Sequence, residues 1–206
     1  MSHAWRMTSR FIPIAAVAAP PLVLAGVGLT HPSMLTLNTA QWWTTMHLAL
    51  LLLFPLIGVA VWVLLRHDRT WLGWVGRVAA AAYAVLYNGL DAIAGIATGT
   101  LVLAGADPDS ALVDALFAAS RSLGWAGLAA LAIAFAVVLA SALRGGAMTA
   151  LLIIATFTLA ASFYLFVTGH IYWPRGVLAM LGLTLGFTVL ELVPRRGREK
   201  VALVQS

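Results

Sequence analysis

The chain predicts an all-α fold, a polytopic membrane helix bundle of six transmembrane helices with a short interfacial amphipathic helix before the fourth. Three observations predict it. Of the 206 residues, 62% are hydrophobic and only 9% charged, whereas soluble domains carry about 45–50% apolar and about 25% charged residues. The apolar residues fall into six runs, each near the ~20 residues that a bilayer-crossing helix needs. The basic residues collect between and beyond these runs rather than within them.

The first span covers about 11–30 and contains Pro20-Pro21, which should kink it and free backbone carbonyls. Its apolar core is too long for a cleaved signal peptide, so it reads as a retained span. The second covers about 45–65 with Pro55 near its middle, and the third about 75–103. A turn-rich linker, Gly105 to Ser110, follows, where Asp109 or Ser110 can cap the next helix. Leu112, Val113, Leu116 and Phe117 then give residues 111–121 the spacing of an interfacial helix. Spans four, five and six cover about 123–143, 147–170 and 176–193, and a basic tail occupies 194–206. The whole is one transmembrane domain.

Orientation follows from the basic residues. With the N-terminus inside, ten Lys and Arg fall on the inner side and only Arg121 and Arg175 on the outer, which places both termini in the cytoplasm of a plasma (inner) membrane. The formal charge of +5 therefore serves topology and is no nucleic-acid footprint. The tryptophans near span ends, Trp42, Trp43, Trp71, Trp74 and Trp173, suit interfacial belts. Gly95/Gly99 and Gly182/Gly186 form GxxxG patterns that allow close helix approach. Such glycine-lined faces would also serve a homo-oligomer or a subunit docked in a membrane complex.

The absence of cysteine excludes disulfides, thiolate metal sites, iron–sulfur clusters and a cysteine nucleophile. No lysine lies in a span, which argues against a retinal Schiff base.

The chemistry-bearing residues are few. Asp91 is the only charge between Val78 and Leu103, and an ionisable group at such a depth costs at least about 2.5–3.5 kcal/mol on insertion scales. Tyr87, Asn88, Gly95 and Thr98 share its helical face at spacings of three, four and seven, so a polar pocket of Tyr87, Asn88, Asp91 and Thr98 is expected inside the bundle. His47, His170 and His31 map to the outer ends of spans two, five and one.

Two cofactor expectations follow. His47 and His170 would ligate a haem axially, or His47, His170, Asp91 and His31 would bind a transition metal, copper or zinc. Met34 and Met46 would add soft donors for Cu(I). The leading expectation is a redox or electron-transfer membrane protein. The alternatives are a small ion- or proton-coupled transporter using Asp91 and a non-catalytic accessory subunit. No nucleophile elbow or other hydrolase signature accompanies Ser162, Thr168 and His170.

Overall fold

The computed structural model describes residues 3–146 and 149–193, and the side chains of 11–146 and 150–193. The expected tail at 194–206 lies outside the described residues. Among the described residues all regular structure is helical, and six helices are long and apolar enough to cross a membrane.

Helix α1 (His3–Gly28) runs without interruption through Pro13, Pro20 and Pro21, so the prolines do not divide it. The second span is two helices, α2 (Ala40–Leu53) and α3 (Pro55–Leu64), hinged at Phe54. The cause is Pro55. It has no N–H to offer the carbonyl of Leu51 four residues earlier. The Asn88 Nδ2 donates to that carbonyl at 3.0 Å instead. Asn88 thus repairs the hinge from a neighbouring helix through its Nδ2, while its Oδ1 is buried without a hydrogen-bond partner.

The third span is longer than expected and irregular. It starts at Trp71, capped by the Thr70 hydroxyl. It runs as α4 (Trp71–Leu90), a π-helical stretch (Asp91–Ala97) and α5 (Thr98–Leu103). A π-helix adds a residue per turn and shifts every side chain beyond it to a new direction. Beyond it the α-helical spacing no longer holds, and the buried Thr98 donates its hydroxyl back to the Ala94 carbonyl.

The expected interfacial helix is not separate. Ala111–Arg144 is one helix, α6, capped by the hydroxyl of Ser110. No glycine or proline lies between Ala111 and Leu123 to end it. The bundle closes with α7 (Thr149–Gly169) and α8 (Arg175–Leu192).

A single large core joins these helices, with Phe54, Tyr83, Leu131, Phe166 and Phe187 among its fully buried members. The expected close approaches occur: Gly95 and Gly99 face His47 and Thr44 of α2, and Gly182 and Gly186 face Ser162 and Leu159 of α7. One end of the bundle is tied by charges. Arg66 makes a two-pronged pair with Glu191. Arg144 pairs with Asp68 at 2.8 Å, and Arg77 donates to the carbonyls of Asp68 and Leu65. The opposite end carries the histidines.

Candidate metal centre

Three of the sequence-predicted residues converge at that opposite end. His31, His47 and His170 each offer a ring nitrogen, and the three nitrogens lie within 4.8 Å of one another. Each histidine reaches the cluster by a different device. His31 follows the end of α1, and its Nδ1 donates to the Pro32 carbonyl at 2.8 Å. His47 sits in the second turn of α2, where its Nδ1 donates to the Trp43 carbonyl at 2.7 Å. His170 follows α7 with a positive φ of 45°, an uncommon conformation for any residue but glycine and a mark of functional sites when the surroundings enforce it. Here they do: a side chain on Gly176 would strike the backbone of His170 and Ile171.

These hydrogen bonds fix the chemistry of the rings. A carbonyl only accepts, so His31 and His47 carry their proton on Nδ1 and their lone pair on Nε2. The Nε2 of His31 is buried and has no partner. In His170, Nδ1 is bonded to the Tyr87 hydroxyl at 2.7 Å, which leaves Nε2. Burial, opposed by the Pro32 bond and helped by His47, pushes the His31 pKa down to about 4. It is a neutral imidazole at physiological pH. A protein that orients imidazoles in this way through their second nitrogen matches the usual outer support of a metal site.

Asp91 stands next to the cluster. It is fully buried, and both carboxylate oxygens lack a hydrogen-bond partner. Its Oδ1 lies 4.0 Å from the Nε2 of His170. The set that closes within 4.8 Å is the three histidines, so Asp91 adjoins the imidazoles rather than completing their triangle. A buried carboxylate without donors is costly unless it takes up a proton or a cation accompanies it.

The packing explains why the groups stay in place. Phe54, Tyr87 and Phe166 form an aromatic bed against the His170 ring, with centroids 5.3, 5.8 and 6.3 Å away. Tyr172 packs on His31 at 4.2 Å. Trp43 is buried rather than interfacial and donates its indole N–H to the Ala94 carbonyl, inside the π-helical stretch. Trp43, Tyr172 and the π-helix had no signature in the sequence. Met46 lies in the hydrophobic core and Met34 is exposed, so neither is part of the arrangement.

A cavity of about 550 Å³ adjoins the cluster, bordered by His47, His170, Tyr87 and Tyr172. Three imidazoles plus an open side is the pattern by which zinc keeps a coordination position for water or substrate. No family model, curated protein or solved structure matches the chain.

Proposed function

We propose that this chain is a membrane metal protein in which His31, His47 and His170 hold one divalent transition-metal ion, with Asp91 balancing its charge. The observation that carries this reading is the pair of orphaned acceptors, the Nε2 of His31 and the carboxylate of Asp91, buried beside two further imidazoles. Zinc suits the donors best: all are nitrogen or oxygen, and no methionine supplies the soft contact that Cu(I) prefers. On a tetrahedral ion with Zn–N bonds of about 2.0–2.1 Å, two nitrogens stand about 3.3 Å apart, so each ring needs to move by about 1 Å or less. Bound there, zinc would act as a Lewis acid on a molecule entering from the cavity.

An ion fits this site better than a haem. The ring of His31 lies 5.3 Å from that of His47 and 5.8 Å from that of His170. A third imidazole in contact with both leaves no clear plane for a macrocycle between them. Cu(II) gives a second reading, the one-electron carrier expected from the sequence. With Nε2 of His170 kept for the ion, its Nδ1–H donates to the Tyr87 hydroxyl, and a phenol next to that ring favours this reading.

Under the positive-inside rule the basic residues on the other end, Arg66, Arg69, Arg77 and Arg144, support a reading in which the histidines lie at the outer face of a plasma (inner) membrane. The lipid bilayer is the partner this implies. Elemental analysis of protein purified without chelators tests the reading. One zinc or copper per chain, lost in His47→Ala and His170→Ala, supports it. A metal-free protein that also fails to take up added zinc overturns it.

A further inference from the structure

The cavity beside the histidines extends well past them, and its chemistry changes along its length. Its α6 wall is a single face, Asp114, Phe117, Arg121, Gly124 and Leu128, at spacings of three and four residues. At 1.5 Å per residue this wall is about 21 Å long. Its first part is polar: Asp114 and Arg121 are exposed, and Ser120 is beside them. Its far part is apolar, with Trp125 and Leu128 facing Phe166 and Val167 across the gap between α6 and α7. The histidines border the hollow between these two zones, because Phe166 lies one turn before His170 on the outgoing α7. The volume falls in the range of about 300–1,000 Å³ typical of small-molecule sites.

This gradient matches one kind of occupant. A small polar substrate would leave the apolar half wet. A wholly apolar molecule would bury Arg121 and Asp114 and give the metal no donor. Resting on the metal reading above, we infer that the cavity binds a single-chain amphiphile drawn from the surrounding lipid. Its oxygen-bearing head group meets the ion held by His31, His47 and His170. Its chain lies along Trp125, Leu128, Phe166 and Val167, and Arg121 stands at the mouth where an anionic head enters.

The test uses the full chain in lipid nanodiscs, loaded with Co(II) so that ligand binding reads out in the metal's visible absorption. Two hydroxamates, acetohydroxamic and octanohydroxamic acid, present the same head with and without a chain. The octanoyl compound is expected to bind at least about tenfold more tightly, each methylene adding to the apolar contact. Because an alkyl chain also concentrates in the bilayer, the Val167→Trp variant supplies the decision. Filling the apolar end should remove most of the octanoyl preference while leaving cobalt content and acetohydroxamate binding unchanged. The exposed Arg121→Glu substitution should weaken both compounds, which bind a metal as their hydroxamate anions, without disturbing the fold. Cobalt uptake with the same chain preference in wild type and Val167→Trp overturns the amphiphile site alone. Failure to take up cobalt overturns the metal reading and the amphiphile site with it.

Discussion

The ring of His47 occupies the space that any side chain at Gly95 would need. Gly95 lies in the π-helical stretch (Asp91–Ala97) that also carries Asp91, so one local irregularity both seats the His47 ring and places Asp91. A Cβ at position 95 forces the imidazole aside. Gly95→Ala should therefore lower stability by about 1–3 kcal/mol, as overpacking does, and should weaken metal binding together with it. Gly26→Ala is the control, since nothing lies within 4 Å of its added methyl. Thermal unfolding followed by tryptophan fluorescence, with metal content measured in parallel, distinguishes the two.

The repair of the α2–α3 hinge makes a second prediction. Asn88 donates to the carbonyl that Pro55 leaves unserved, so Asn88→Ala should destabilise the protein by about 1–3 kcal/mol, the cost of a stranded buried acceptor. Pro55→Ala restores an N–H at position 55. In that background Asn88→Ala should cost markedly less. A double-mutant cycle that shows simple additivity would refute the assignment.

At the other end, acid should act through Asp68, in the loop between α3 and α4. Burial opposes its charge, but hydrogen bonds from Thr70 and Ser141 and the Arg144 guanidinium outweigh that and hold its pKa below the usual 3.8. A carboxyl lowered on folding stabilises the protein fully above its unfolded value and loses that contribution as pH falls through the lower, folded one. Stability should thus drop below about pH 4. Asp68→Asn should be less stable at neutral pH and show a flatter acid profile, read from melting temperature against pH.

Asp91→Asn separates charge balance from packing, because the two side chains have nearly the same shape. Metal affinity should fall by about 10–100-fold, as for loss of an outer partner. The melting temperature of the metal-free protein should not fall, since an unpaired buried carboxylate has been removed. Equal metal affinity in the variant and wild type would remove Asp91 from the site.

Much of this fold was legible from hydropathy, because apolar runs of bilayer length have few alternatives. The six spans and the glycine contacts follow from that constraint. The histidines could be placed at one end of the bundle because each falls near the same end of its predicted span. What periodicity missed has a common cause. The π-helix that begins at Asp91 breaks the 3.6-residue repeat, and Gly95 within it reads equally well as an ordinary GxxxG position, so Thr98, beyond the stretch, was placed by a spacing that does not hold there. The join of residues 111–121 to the fourth span was hidden because an amphipathic stretch looks the same whether it lies in the interface or extends a helix. Trp43 looked interfacial from its neighbour Trp42, yet it points inward, where the Ala94 carbonyl takes its N–H.

In the proposed site three imidazoles hold one ion. X-ray absorption at the zinc edge of the loaded protein measures the number and type of the ion's neighbours. Three imidazole nitrogens at about 2.0–2.1 Å, completed by an oxygen donor, are expected, and two imidazoles in His31→Ala. A spectrum with no imidazole scattering, or one unchanged by His31→Ala, would contradict it.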